Sequence, residues 1–117
     1  MKLSTPQTLI AMSVLGAAAL AFSGAASAAV NADAAQALAK KSDCLKCHAI
    51  DKDKKASSYQ KIAAKWKGKA DAEAKLTDAL TKAPKVKMAD GTEEEHKVIA
   101  TKDAAEIKNL VGWILAQ

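Results

Sequence analysis

The pentapeptide Cys44-Leu45-Lys46-Cys47-His48 constrains this chain more than any other stretch. Two thiols separated by two residues and followed at once by an imidazole form the C-x-x-C-H attachment motif. In it the sulfurs bond the vinyl groups of a c-type haem and the histidine ligates the iron. A chain tied to a flat macrocycle at three neighbouring side chains has to close around it. Two other chemistries use parts of the pattern. A thiol–disulfide centre goes with a βαβ arrangement, and no run of strand character accompanies the motif. Zinc would need about four ligands, nominally Cys44, Cys47, His48 and His96, but adjacent Cys and His are unusual in such a site.

The N-terminus has the pattern of an export signal: Lys2, an apolar run from Leu9 to Phe22, then the small-x-small site Ala26-Ser27-Ala28. Cleavage is expected before Ala29, giving a signal peptide over 1–28, a domain over 29–117 and a periplasmic location. The apolar run is too short and too rich in alanine for a membrane anchor, so no stable membrane association is expected after cleavage. All 18 basic residues are Lys; removing Lys2 leaves 17 against 13 acids, a net charge of +4. Lysines interspersed with acids, without arginine or interleaved aromatics, do not suggest a nucleic-acid partner. They suit solvated helix faces, with some steering towards an acidic protein. About 89 residues make a marginal core unaided. A covalently held macrocycle would supply the missing apolar mass.

Helix signals cover most of the domain. Asn31 to Lys41 combines strong helix formers with a polar start and lysines in the last turn. Ser57 or Ser58 can cap a second helix with Tyr59, Ile62, Ala63 and Trp66 on one face, ended by Gly68. A third starts at Asp71, carries Ala72, Leu76, Ala79 and Leu80, and stops before Pro84. A fourth starts at an Asp103-x-x-Glu106 capping box and carries Ile107, Leu110, Val111 and Ile114. Lys52 to Lys55 is expected to be a solvated turn. Between Pro84 and Asp103 two readings stay open: a hairpin turning at Asp90-Gly91 with Lys87 opposite Glu94, or a short helix carrying His96 and Ile99.

The domain resembles the small bacterial class I cytochromes c. The likeness rests on the haem motif with Ala49-Ile50-Asp51 after it, on Tyr59-x-x-Ile62-Ala63-Ala64-Lys65-Trp66, on Ala72-x-Ala74-x-Leu76 and on Val111-Gly112-Trp113-Ile114-Leu115. It implies an all-α fold of about four helices wrapped round one covalently attached haem c, with the N- and C-terminal helices crossing nearby. Trp66 and Trp113, by their places on apolar helix faces, are core residues or haem contacts, and Tyr59 is a candidate haem contact whose hydroxyl has a propionate or a backbone group as alternative partners. The chain departs from the family in two places. Ala56-Ser57 stands where a Gly-Pro usually orients the proximal histidine, which leaves the geometry of that hydrogen bond open, with some carbonyl still expected to accept it. The Trp-Gly segment before an axial Met-Pro is missing.

The distal side of the iron therefore has two candidates, Met88 and His96, the domain's one methionine and its one histidine besides His48. Met is the usual residue type. Counted from Tyr59 and from Trp113, however, His96 lies nearer the family's ligand position, and it is favoured. Met88 would otherwise pack inward with Val86 while Lys85 and Lys87 face out, and His96 would otherwise be a solvated loop residue beside Glu93, Glu94 and Glu95. Two imidazoles favour ferric iron more than imidazole plus thioether, so a low-spin, relatively low-potential centre is expected. The function expected is electron transfer by transient docking with redox partner proteins, without catalysis. A haem enzyme or gas-sensing module with a dissociable sixth ligand is the alternative.

Overall fold

In the computed structural model, which describes residues 29–117, Asn31 starts the first helix by accepting the Ala34 N–H on its side chain. The expected leader, 1–28, lies outside the described residues. Helix α1 (Ala32–Lys41) ends with Lys40 and Lys41 at its negative pole. Asp43 then takes a left-handed backbone, φ 60°, and bends the chain into a 3-10 turn over Cys44–Lys46. Asp enters this region more readily than bulkier residues because its short carboxylate can bond locally.

Helix α2 (Tyr59–Trp66) is capped by the Ser58 hydroxyl, which accepts the Lys61 N–H at 3.2 Å. Helix α3 (Ala72–Thr81) follows Asp71, whose side chain makes no cap. Helix α4 (Ala104–Leu115) begins where the Asp103 carboxylate accepts the Ala105 and Glu106 N–H groups. The expected box closes differently. Glu106 does not return to the Asp103 N–H; Thr101 Oγ1 accepts that N–H at 3.1 Å and itself donates to Glu106.

The core centres on α4, against which α1, α2 and α3 all pack. Ala35 and Ala39 of α1 and Leu110 and Val111 of α4 are each at most 1% exposed, and alanines at the crossing let the helix axes approach. Asn31 and Asn109 lock the crossing at one end: the Asn31 N–H donates to Asn109 Oδ1 at 2.8 Å and Asn109 Nδ2 donates back to the Asn31 carbonyl at 2.9 Å. Tyr59, Leu80, Ile99, Trp113 and Ile114 complete the buried cluster. This is the all-α architecture expected, with terminal helices crossing.

Of the two readings left open after Pro84, the hairpin forms and the short helix does not. Strand β1 (Lys85–Lys87) runs antiparallel to β2 (Glu93–Glu95), with Lys85 opposite Glu95 and Lys87 opposite Glu93. The register is thus one residue from the expected Lys87–Glu94 pairing. Its cause is a loop of three residues rather than two: the Met88 N–H donates to the Thr92 carbonyl at 2.7 Å, and Gly91 takes φ 87°, as such loops require. The Asp90 carboxylate accepts the Thr92 N–H and hydroxyl inside the turn. Among the described residues, no helix is long and apolar enough to cross a membrane.

Candidate functional site

His48 is held from below by the chain that follows it. The Ala56 N–H donates to the Cys47 carbonyl at 3.0 Å, the Tyr59 N–H to the Ala49 carbonyl at 2.9 Å, and His48 bridges Asp53 as an isolated antiparallel pair. The Asp53 carboxylate accepts the Ser58 N–H at 2.9 Å and binds the Lys61 ammonium, while Lys54 Nζ donates to the Leu45 carbonyl at 2.5 Å. The lysine-rich segment is exposed, as expected of a solvated turn, and these bonds also close it into a cradle. It brings the Ser57 carbonyl to 2.6 Å from His48 Nδ1. A carbonyl can only accept, so Nδ1 carries the proton and Nε2 keeps its lone pair for a metal. Ala56-Ser57 thus supplies the carbonyl for which Gly-Pro is usual. Burial holds His48 below the ordinary imidazole value, partly opposed by that carbonyl, with His96 lowering it further.

His96 comes directly after β2, and its N–H donates to the Pro84 carbonyl at 2.8 Å, closing the base of the hairpin. Its Nδ1 donates to the Lys97 carbonyl at 2.9 Å, which again leaves Nε2 free. The chain beyond is a strap without regular structure, fastened at each step. Lys97 Nζ meets the Asp43 carboxylate at 2.5 Å, the Ile99 N–H donates to the Leu80 carbonyl at 3.0 Å, and the Ala100 N–H donates to Ser42 Oγ at 2.9 Å. The two imidazoles face each other with ring centroids 6.3 Å apart and planes inclined by 43°. Met88, half-buried in the hairpin turn, lines the same cavity.

That cavity, about 640 Å³, lies between the cradle, the hairpin and the strap, with Cys44 and Cys47 on its wall. Both cysteines are free thiols, and burial raises Cys44 above the usual thiol value. Ile62, Leu80 and Ile114 supply apolar lining. Two thiols on one wall, an imidazole on each of two facing segments and an apolar interior fit a haem c. They do not gather into one small cluster of donors: among the described residues no three His, Cys, Asp or Glu side chains are grouped to hold a bare metal ion, contrary to the nominal zinc set.

The aromatic residues divide. Tyr59, 2% exposed, stacks on His48 with centroids 5.1 Å apart, and Trp113 meets its ring edge-on at 5.2 Å. The Tyr59 hydroxyl lies against the Cys44 sulfur, and burial pushes its pKa up. Trp66 lines the cavity beneath the ammonium groups of Lys65 and Lys69, 5.6 and 5.2 Å from its ring. Trp113 does not line it. Its neighbour Ile114 takes that face of α4, one residue being about 100° of helix, and Trp113 buttresses Tyr59 from behind. Ser42, Asp43 and Asp53 had no place among the candidates, since each acts through a partner elsewhere in the chain.

The cytochrome c family profile matches residues 32–117. The class 1 cytochrome MtoD from Sideroxydans lithotrophicus ES-1 is similar at 54% identity over 75% of this chain and 97% of that one, with a TM-score of 0.72. Wild-type cytochrome c552 of Nitrosomonas europaea is similar at 26% identity over 69% of this chain and 96% of its own, with a TM-score of 0.57. Its N64Del variant has a TM-score of 0.55 at the same identity and coverage. No curated protein sequence matches.

Proposed function

The chain belongs to the cytochrome c family, among the class I monohaem electron-transfer proteins that carry covalently attached haem c, and on that premise we propose that it is a periplasmic carrier with His48 and His96 as its axial ligands. Haem c supplies one-electron chemistry at iron. Cys44 and Cys47 are the attachment points, and His48, oriented by the Ser57 carbonyl, is the proximal ligand.

One distance carries the distal assignment. An imidazole–metal bond is about 2 Å and the ring centroid lies about 1 Å behind the ligating nitrogen, so two imidazoles on one ion have centroids about 6 Å apart. His48 and His96 stand at 6.3 Å. Each has Nδ1 engaged by a backbone carbonyl, leaving Nε2 as the donor on both sides. Met88, in the hairpin turn, lines the same cavity and is the alternative donor. With both positions filled by imidazole, the centre is low-spin, of lower potential than a methionine-ligated relative, and closed to substrate chemistry. Redox partners dock transiently, by the small, polar encounters typical of electron transfer.

The ferric spectrum of the wild type and of His96→Ala tests the assignment. Loss of the six-coordinate low-spin signature in the variant is the result expected. A sulfur-to-iron band in the wild type that His96→Ala leaves in place would give the position to Met88. Rapid carbon monoxide binding by the wild type at neutral pH would favour a gas-binding or catalytic role. Export and cleavage are checked by fractionation: holoprotein beginning at Ala29 in the periplasm agrees with both, full-length holoprotein retained in membranes refutes the cleavage, and protein confined to the cytoplasm refutes export.

A further inference from the structure

The strap that presents His96 has one fastening that reaches the haem-attachment segment through side chains alone. Asp43 directly precedes Cys44, Lys97 directly follows His96, and their carboxylate and ammonium meet at 2.5 Å although 54 residues separate them. Both residues border the haem cavity. Asp43 has a left-handed backbone, and Lys46 of the following turn also binds its carboxylate at 3.2 Å. Lys97 first, then Lys46, holds the Asp43 carboxyl below the ordinary carboxylate value, so it is ionised at neutral pH. The side chains are 64% and 38% exposed, which makes the pair a poor contributor to global stability. Its position is more telling than its strength. The other pins of the strap are hydrogen bonds from backbone N–H groups to α3 and to the end of α1. Lys97–Asp43 alone among them closes the rim next to the ligand itself.

We propose that Asp43 and Lys97 form an electrostatic latch that keeps the His96 segment shut over the cavity, making both of them positioning residues that govern how often the distal side opens. The proposal rests on His96 as the distal ligand. An exposed ion pair of this kind is worth a factor of about two to five in an equilibrium, and that factor falls on the opening step. It is also screened by salt, whereas the backbone hydrogen bonds of the strap are not.

Carbon monoxide, being uncharged, reports opening without adding an electrostatic term of its own. Its binding rate to the ferrous holoprotein is measured at low and high ionic strength for the wild type, Asp43→Asn, Lys97→Ala, Lys82→Ala and His96→Ala. Asn tolerates the left-handed backbone, so Asp43→Asn removes charge without forcing the turn. Lys82→Ala breaks a comparable surface pair, to Asp78 at 2.8 Å, on α3. The latch predicts binding about two- to five-fold faster in Asp43→Asn and Lys97→Ala, with little further gain from salt. Wild type and Lys82→Ala should be slow and should accelerate with salt, and His96→Ala should be fastest. Fast binding by His96→Ala together with wild-type rates in Asp43→Asn and Lys97→Ala overturns the latch alone. A His96→Ala rate equal to that of the wild type overturns the distal assignment and the latch with it. Equal acceleration by Lys82→Ala also overturns the latch, by showing a general effect of surface charge.

Discussion

Tyr59 is the residue on which the proximal half of the domain leans, and its replacement separates two roles that the structure assigns to different atoms. The ring lies between His48, stacked at 5.1 Å and 22°, and Trp113, edge-on at 5.2 Å and 69°, while the hydroxyl meets the Cys44 sulfur. Tyr59→Phe keeps both ring contacts and gives up one weak bond to sulfur, so it should cost less than about 1 kcal/mol. Tyr59→Leu keeps an apolar side chain but loses two aromatic contacts worth about 0.5–1.5 kcal/mol each, about 1–3 kcal/mol together. In a domain of this size 1 kcal/mol moves the midpoint by about 4–8 °C, so Tyr59→Leu should lower Tm by about 5–20 °C and Tyr59→Phe by only a few degrees. Thermal unfolding of the two holoproteins, followed by far-ultraviolet circular dichroism, makes the comparison. Equal losses in the two variants would mean that the hydroxyl, not the stacked ring, holds this region, and the account of the proximal side would fail.

Gly112 offers a gain: a Cβ there meets only Val30 Cγ2, at 3.0 Å, and Val30 is 42% exposed and free to give way. Gly112→Ala should therefore stabilise by about 0.5–1 kcal/mol through helix propensity, measurable as a higher urea midpoint; destabilisation would show the α1–α4 crossing to be tighter than drawn. A small part of the acid sensitivity should come from Asp43 and Asp53, exposed carboxyls that the Lys97 and Lys61 ammonium groups respectively hold below the ordinary value. A depressed folded-state pKa gives stability that is present above the unfolded value, about 3.9, and is lost as pH falls through the folded one. The unfolding midpoint should thus be flat near neutrality and fall below about pH 4, and Asp53→Asn should flatten part of that fall; an identical acid limb in the variant would count against the Asp53 linkage.

The parts of this molecule that could be read directly were those whose causes lie within a few residues of one another. The haem motif is one, and the Asn31, Ser58 and Asp103 caps are others, because a helix start is decided by a side chain reaching two or three residues on. The hairpin was legible as a possibility, and its register failed by one residue because the loop length depended on Met88 pairing with Thr92. The cradle under His48 and the strap carrying His96 were not legible. Asp53 was one more acid in a lysine-rich stretch until the fold put Ser58 and Lys61 against it. Ser42 meets the Ala100 N–H from 58 residues away, and nothing local to either foretells it. Trp113 was expected as a haem contact or a core residue beside it, and a repeating apolar stripe could not say which; it is buried in the core against Tyr59, while Ile114 lines the cavity.

The bond from the His96 N–H to the Pro84 carbonyl has a consequence for how such a chain can change over time. It closes the hairpin at its base, so the two ends of residues 85–95 stay together whatever lies between them. Residues can be inserted or removed at the tip without disturbing where the imidazole stands, since the strap on one side and α3 on the other remain fastened. Loop length and ligand position are thereby decoupled. The segment is a natural place to graft a new recognition loop beside the haem, with the iron chemistry inherited unaltered.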